Sequence, residues 1–321
     1  MGISKTDSND RLSIIFKELG ITEKSMDHDL AILKEWYEKQ AHLPPIPVEF
    51  ENEIKLWIQH LLVATKNSIE RVKVSIESYM YTRTDYPQLF DSKLIKDTMH
   101  NEYYNACTVV TLPKLTNTHQ MVFYWSLNSS NPAMLNVIYF AQRFRMVLDY
   151  HIKMSTEFFG FHSIMDMANY KMAHVSHLDL MLLKRVLSNG QKSYPLRINY
   201  LHVINPPTFI EYCFNVLRPF ISKKIMSRVL VHKSVQELQN YISPADVLPT
   251  QLGGTGGDLE DIKREWDKRF ETTTRLLDSD VFVVNKSLKP EDSPNRIRNV
   301  EAVLSSEEFG PNGSFRKLCV D

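Results

Sequence analysis

The pattern of apolar residues changes near position 100 of this 321-residue chain, and the change limits the folds available to it. Before that point, apolar residues recur at three- and four-residue steps, as in Met26, Leu30, Leu33 and Tyr37. This spacing is the period of an amphipathic helix. Prolines within 42–47 end that helix and force an extended link. The first ninety residues therefore predict three short helices packed as a small bundle.

After position 100, short runs of β-branched and aromatic residues alternate with longer segments that have a broad apolar side. Strands that alternate with helices predict an α/β domain with a largely parallel or mixed sheet. One helix is predicted to stop at Asn189 and Gly190, and another to open with Pro206 and Pro207 in its first turn. The predicted strands are 106–113, 120–127, 159–167, 194–204 and 228–232, and the helices are 135–155, 174–190 and 206–220.

Charge and cysteine content exclude several classes of protein. Lys plus Arg and Asp plus Glu both number 38, so the net charge favours neither nucleic acid nor membrane as a partner. Cys107, Cys213 and Cys319 are odd in number and widely spaced, which suits a reducing compartment. The first residues have no apolar core, and no uncharged apolar run reaches the ~18–20 residues of a spanning helix. We therefore expect a soluble cytoplasmic protein, with Gly2 and Thr6 matching a loose myristoylation pattern.

The stretch LPTQLGGTGGDLEDI at 248–262 is the only glycine-rich segment. Glycines before a helix can cradle phosphate, but the lysine of a phosphate-binding loop is missing. Acidic residues follow instead, beginning at Asp258, and they repel phosphate. We interpret Asp258 as the N-cap of a helix over 259–270, with the glycines allowing the turn into it.

Catalytic and metal-binding patterns are weak in this sequence. His174 and His177 are three residues apart and His162 precedes them, yet the further ligands of a zinc site are missing. Asp166 ends a predicted strand, where a turn or cap is its ordinary role. No nucleophile elbow is present. We predict no catalytic residue, no metal and no cofactor, and keep a metal-dependent hydrolase using these histidines as a third alternative.

A cluster of basic residues is the strongest local signal. From 212 to 236 the chain has no acidic residue, and the cluster directly follows a very apolar predicted helix. A solvated charged face is the ordinary explanation. Apolar surface beside single-sign charge is also what an anionic membrane surface or a phosphoinositide headgroup would select, and no nucleic-acid motif accompanies it. The basic residues are Arg218, Lys223, Lys224, Arg228 and Lys233, with Arg197 upstream.

Several segments together resemble the CRAL-TRIO lipid-binding family, which contains the tocopherol transfer and cellular retinaldehyde-binding proteins. GFHSIMDMANYKMAHV at 160–175 looks like its strand, Asp-containing turn and following helix. The run 194–232 is similar to the family's strand, gate helix and basic segment, and LPTQLGG at 248–254 matches its closing signature. Residues 10–90 have the place of the family's N-terminal helices.

The resemblance implies a fold in which a mixed sheet floors a hydrophobic cavity that a gate helix, within 207–220, closes. The expected organisation is an N-terminal helical bundle at 1–95, a lipid-binding domain at 96–270 and a C-terminal extension at 271–321. The cavity residues implied by the resemblance are Phe140, Phe144, Val147, Phe161, Ser163, Met165, Leu178, Val186, Leu196, Ile210, Cys213 and Leu217.

The resemblance also implies phosphoinositide binding by basic residues beside the gate, which correspond to Arg197, Arg218, Lys224 and Arg228. One departure matters. The family's arginine-bearing motif in the bundle is replaced here by Leu61 to Thr65, so its basic contribution is lost unless Lys66 substitutes.

The sequence thus predicts a monomeric, non-enzymatic intracellular carrier that binds one hydrophobic molecule and transfers it at membranes with which it associates transiently. The ligand class is left open among retinoid, tocopherol and similar lipids. The alternative is a membrane-recruited interaction module with a vestigial pocket.

Overall fold

A computed structural model describes residues 13–90, 102–154, 160–272 and 282–288. Gly2, Cys319 and most of the expected C-terminal extension lie outside these residues. The main helices are α1 (Glu23–Glu38), α2 (Glu51–Ala64), α3 (Ile69–Asp85), α4 (Glu102–Asn105), α5 (Val137–Met154), α6 (Met172–His177), α7 (Leu180–Ser193), α8 (Ile210–Leu217), α9 (Lys223–Met226) and α10 (Leu259–Thr272). The strands are β1 (Cys107–Thr111), β2 (Gln120–Leu127), β3 (Gly160–Asp166), β4 (Ile198–Ile204) and β5 (Val229–Val231).

The helices α1 to α3 form where the apolar period predicts them. Thr22 caps α1 through a reciprocal pair of hydrogen bonds with Ser25, which satisfies backbone donors that the first turn leaves free. Along α3, Val72 and Ile76 are fully buried, as the amphipathic pattern requires. These helices pack against one another, and α3 also packs along α7.

The strands form one mixed sheet in the order β1-β2-β3-β4-β5. β1 and β2 are antiparallel, whereas β2 through β5 run parallel. The expected α/β architecture with a mixed sheet is confirmed. The parallel connections carry helices α5 to α9, which is why the inner strands are covered on at least one side.

Strand register divides the side chains between two sheet faces. Phe123, Ser163, Leu201 and Val229 pair in a row and therefore share a face, which we call the inner face. Helix α5 covers its β1–β2 side, because the ring of Phe144 lies 5.5 Å from that of Phe123. Helix α8 covers the β3–β5 side.

The single helix predicted over 174–190 is wrong in two respects. It is divided at Leu178, which is extended, and Asp179 then caps α7 by accepting a hydrogen bond of 2.9 Å from the amide of Leu182. Helix α7 also passes through Gly190 and ends only at Ser193. A glycine inside a helix costs about 0.5–1 kcal/mol, which the buried contact of Ser193 with Thr82 of α3, at 3.1 Å, helps to offset.

The prolines at 206 and 207 do not open a helix. Helix α8 begins at Ile210, and the carbonyl of Pro207 accepts a hydrogen bond from the amide of Ile210 in a preceding turn. Asn205, just before the prolines, has a positive φ of 49°, so the chain turns there before the helix can start.

The glycine-rich stretch is a packed turn, as interpreted from the sequence. Gly254 fits against backbone: a Cβ added there would lie 2.5 Å from the carbonyl oxygen of Ala245 and closer still to that of Leu248. Asp258 then caps α10 by accepting a hydrogen bond of 2.8 Å from the amide of Glu260. The expected N-cap is confirmed.

Candidate functional site

The inner face of the sheet carries an aromatic group at its β2–β3 side. The rings of Phe123 and Phe161 lie 5.3 Å apart, and those of Phe140 and Phe144 on α5 lie 6.3 Å apart. The ring of Trp125 lies 5.5 Å from that of Phe140. Strand alternation brings these rings to one side, and the four-residue step from Phe140 to Phe144 points both toward the sheet.

A second apolar group lies at the other side of the same face. Val203 and Cys213 are buried together, with Met165, Leu201 and Ile210 partly buried against them. This group is separate from the main core, to which Phe140 and Phe144 belong. The inner face thus carries two apolar groups, one under α5 and one under α8, and each group includes partly exposed side chains.

The polar group on this floor is a hydrogen-bonded pair. The indole Nε1 of Trp125 donates to the hydroxyl oxygen of Ser163 at 2.9 Å. Because the hydroxyl uses only its oxygen here, its proton is left to donate elsewhere. Burial raises the pKa of the Cys213 thiol, so this side chain is neutral at physiological pH. The floor therefore offers apolar contact and one hydroxyl donor, without charge.

The remaining cavity residues expected from the sequence are dispersed. Val147 is fully buried in the main core, and Leu196 packs against its edge. Val186 lines a narrow cleft between α5 and α7, with Leu182 and Ile138. Leu178 caps the end of α6 and Leu217 ends α8, both partly buried.

A cluster of cations lies at the start of β4 and β5. The pKa of Lys224 is lowered, first by burial and then by the positive charges of Arg228, Lys66, Arg71 and Arg197. Like charges disfavour one another's protonated forms only at short range. We call these five residues the cation cluster.

Arg197 and Arg228 are the cluster members nearest the sheet. The Arg228 guanidinium donates to the carbonyl oxygen of Ile198, the first residue of β4. The pKa of Arg197 is lowered, first by burial and then by Arg228, while the carboxylate of Glu18 acts in the opposite direction. Arg218 is exposed at the end of α8, and none of the described interactions joins it to the cluster.

The histidines considered as metal ligands lie apart. His162 faces away from the inner face, and its Nδ1 is 2.8 Å from Nε2 of His202. His174 Nδ1 accepts a hydrogen bond of 2.9 Å from the amide of Lys171, and His177 bonds to the carbonyl of Ala173. Over the described ranges, no group of three His, Cys, Asp or Glu side chains could hold a metal ion.

Asp166 is part of a turn. Its carboxylate accepts hydrogen bonds from the hydroxyl of Tyr124 at 3.0 Å, from the amide of Ala168 at 3.0 Å and from the side chain of Asn205 at 2.9 Å. Those contacts use both oxygens and hold the ends of β3 and β4 together. A structural role in the turn accounts for the position and contacts of Asp166, and no catalytic role is needed.

Comparison with known proteins gives the family of this sheet and its helices. The model for the CRAL/TRIO domain matches residues 105–254, from just before β1 to the glycine turn. Residues 105–254 are a CRAL/TRIO domain. The match ends at Gly254, the glycine that packs against backbone carbonyls.

Relatives of the chain align with about a third of its length. The human "Alpha-tocopherol transfer protein-like" is 32% identical over 100 residues, which is 30% of this chain and 29% of that protein. Human Clavesin-2 is 31% identical over 96 residues, again 30% of this chain and 29% of that one. The aligned segment thus spans less than a third of these relatives.

A solved structure is also similar to the chain. The crystal structure of Sfh5 superposes with a TM-score of 0.48 at 14% identity, covering 86% of this chain and 99% of that one. Within the parts of the chain that the structure describes, no helix is long and apolar enough to cross a membrane.

The cation cluster extends beyond the CRAL/TRIO domain, and this is where sequence reasoning missed a residue. Lys66 and Arg71 come from the N-terminal helices, outside the matched range. Lys66 lies in a turn after α2, where it and Asn67 have positive φ values of 57° and 59°. Lys66 was named from the sequence as a substitute for the basic motif that Leu61 to Thr65 replace. Arg71 was not considered, and its position at the start of α3 beside that turn is the signal that could have indicated it.

Proposed function

We propose that this chain is an intracellular carrier that binds one hydrophobic molecule on the inner face of its CRAL/TRIO sheet. The observation that supports it best is the pair of apolar groups on that face, with partly exposed Phe144, Met165 and Ile210 beside a neutral floor. Apolar area buried by a ligand contributes about 25 cal/mol per Å², so a lipid enclosed against this face would bind tightly without ionic contacts. A similarity to an "Alpha-tocopherol transfer protein-like" protein agrees with a lipid of the tocopherol or retinoid kind.

The Ser163 hydroxyl suits a ligand with one polar end. It accepts from Trp125 and keeps a proton to donate, so a ligand with a hydroxyl or carbonyl oxygen would be oriented by it. A carrier needs no catalytic group, and the proposed activity is binding and transfer as a monomer, without cofactor.

The test is organic extraction of the purified protein followed by mass spectrometry, together with uptake of tocopherol, retinal and phosphatidylcholine. Cys213→Trp should fill the inner-face pocket and abolish uptake, because Cys213 is buried against the sheet. Tyr212→Trp is the matched control, because Tyr212 is the adjacent residue of α8 and is 52% exposed. Absence of extractable lipid together with absence of uptake would rule out the carrier.

We further propose that the cation cluster binds a phosphoinositide headgroup and so brings the carrier transiently to membranes. The other four cations repel the charge of Lys224, and an anion beside Lys224 would relieve that repulsion. The proposed set is Arg197, Lys224 and Arg228 with Lys66 and Arg71. Arg218 is retained from the family resemblance as a flanking contact.

Vesicle binding tests this assignment. The double variant Lys224→Ala/Arg228→Ala should lose its preference for phosphatidylcholine vesicles that contain phosphatidylinositol bisphosphate. Arg264→Ala/Lys268→Ala is the control that removes the same two positive charges, since both residues are exposed and ion-paired on α10. If both proteins bind these vesicles equally well, the headgroup assignment is wrong.

The second candidate is a membrane-recruited interaction module with a vestigial pocket. The cation cluster alone would support it, because membrane binding needs no lipid inside the domain. It predicts that Cys213→Trp leaves localisation in cells unchanged while Lys224→Ala/Arg228→Ala abolishes it, and that no lipid is extracted.

A further inference from the structure

A short segment near the end of the chain lies across the N-terminal helices. Phe282 is fully buried there, with its ring 5.7 Å from that of Trp57 and 5.5 Å from that of Tyr79. The guanidinium carbon of Arg83 lies 5.2 Å from the same ring. We call residues 282–288 the strap, and the surface of α2 and α3 that holds it the strap groove.

Backbone and charge contacts hold the strap in one register. The amide of Val284 donates to the hydroxyl of Thr84 at 3.0 Å, and the amide of Asn285 donates to the carbonyl of His42 at 2.9 Å. Lys286 forms an ion pair with Asp85. A buried aromatic anchor flanked by backbone hydrogen bonds is how grooves recognise extended peptides.

The anchor of the strap contacts a network that reaches the lipid-binding domain. The hydroxyl of Tyr79 donates to one carboxylate oxygen of Asp149 at 3.1 Å, and the hydroxyl of Tyr194 donates to the other at 2.9 Å. The rings of Tyr79 and Tyr194 lie 5.6 Å apart. Arg145 neutralises Asp149 across 2.6 Å, and Tyr79, Tyr194 and Arg145 are all buried.

Tyr194 directly follows α7 as its C-cap, with its amide donating to the carbonyl of Gly190. The other end of α7 is exposed, with Leu180 at 40% and Met181 at 63% of their full exposure. Asp149 therefore joins α3, α5 and the end of α7, and Phe282 packs directly on the Tyr79 side of that junction.

We propose that the strap groove is a peptide-binding site, and that its occupant, the chain's own strap, latches α7 in place. The inference rests on the proposed function in one respect only, that loosening α7, which packs against α5, uncovers the apolar face that α5 covers. Removing Phe282 from the groove frees Tyr79 to move, weakens the Asp149 junction and loosens α7, which opens the pocket. A competing peptide that displaces the strap without filling the site of the Phe282 ring would do the same.

Hydrogen exchange in the full-length protein tests the latch without any ligand. Phe282→Ala should raise amide exchange in residues 180–194 by at least about tenfold, because protection there follows local opening. Val283→Ala is the matched control, since Val283 is the neighbouring residue and is 43% exposed. Adding the peptide VFVVNKSL, residues 281–288, to Phe282→Ala should restore protection. If Phe282→Ala is too unstable to purify, Phe282→Leu replaces it.

A double-mutant cycle separates a latch from a merely stabilising contact. Tyr194→Phe removes one hydroxyl at the Asp149 junction and leaves the strap bound. In a latch, Phe282→Ala adds little further exchange in 180–194 once Tyr194→Phe is present, since the two act through the same junction. Independent, multiplicative increases would overturn the proposal, as would exchange that rises only within 282–288.

Transfer of a fluorescent tocopherol analogue to phosphatidylcholine vesicles then links the latch to the pocket. Phe282→Ala should release the analogue faster than Val283→Ala does. If the wild-type protein takes up no analogue, the proposed carrier function fails while the exchange result still judges the latch. If uptake is normal and release is equal in both variants, α7 does not control the pocket and the latch is rejected.

Discussion

The Ser163 hydroxyl and the Trp125 indole depend on each other across β2 and β3. Replacing Ser163 with Ala leaves the indole N–H of the partly buried Trp125 without its acceptor, which costs about 1 kcal/mol, the lower end of the range for a buried donor. We expect a decrease of that size in the free energy of unfolding, measured by urea denaturation. Ser176→Ala on the exposed side of α6 should change it by less than about 0.5 kcal/mol. Equal effects for the two serines would show that the pair contributes nothing.

Arg71 provides a second prediction at the scale of single residues. A basic residue close to an anionic membrane contributes about 1 kcal/mol to binding, so Arg71→Ala should weaken binding to phosphoinositide vesicles about fivefold. Lys73→Ala is the control on the same helix, because Lys73 is paired with Glu70 at 2.6 Å. Co-sedimentation with vesicles measures both. An unchanged affinity for Arg71→Ala would remove α3 from the headgroup site.

Among the structural elements, the glycine turn and helix α7 contain glycines with opposite requirements. Gly254 packs against the carbonyls of Ala245 and Leu248, so Gly254→Ala must push the backbone apart and should lower the melting temperature by several degrees. Gly190 has open space around its Cα inside α7, and Gly190→Ala should stabilise the protein by about 0.4–1 kcal/mol. Calorimetry distinguishes them. A neutral Gly254→Ala would mean that the turn relaxes without cost.

These elements also show how far the sequence determines the fold. Period and β-branched runs predicted α1 to α3 and every strand, because the relevant contacts repeat along the chain. The break between α6 and α7 at Leu178 was not predicted, because the segments on both sides favour helix. Asp179 can cap α7 only when Leu178 is extended. Arg71 could not be predicted for a tertiary reason: Lys224 is distant from it in sequence, and only the folded chain brings their charges close enough to interact.

Across the whole molecule, four histidines with lowered pKa values make stability depend on pH. Burial lowers the pKa of His60 and of His162 to about 4, and that of His151 and of His202 to about 3. The charges of Arg269 and His60 lower the pKa of His151 further. The pKa of His202 is lowered further by His162 and His232. These groups lie in α2, in α5 and on two strands, so no single element carries the effect.

The sign follows from which state takes up protons first. An unfolded histidine has a pKa of about 6.5, so as pH falls from there toward 4 the unfolded chain binds protons that the folded chain refuses. Stability is complete above about pH 6.5 and decreases by about 1.4 kcal/mol per pH unit for each histidine. Most of this window precedes carboxylate titration. We expect urea midpoints to fall steeply between pH 6.5 and about 5.

Replacing His60 measures how much its protonation contributes to the pH dependence of stability. His60→Leu keeps an apolar side chain of similar size in a site that is only 3% exposed, and it should flatten the dependence of unfolding free energy on pH by about a quarter. Ile58→Leu, at a buried position of the same helix that carries no titratable proton, should leave that slope unchanged. Because the slope counts protons rather than contacts, a general loss of stability in His60→Leu would shift the curve without changing its steepness. An unaltered slope in His60→Leu would therefore show that His60 is protonated equally in the folded and unfolded chains.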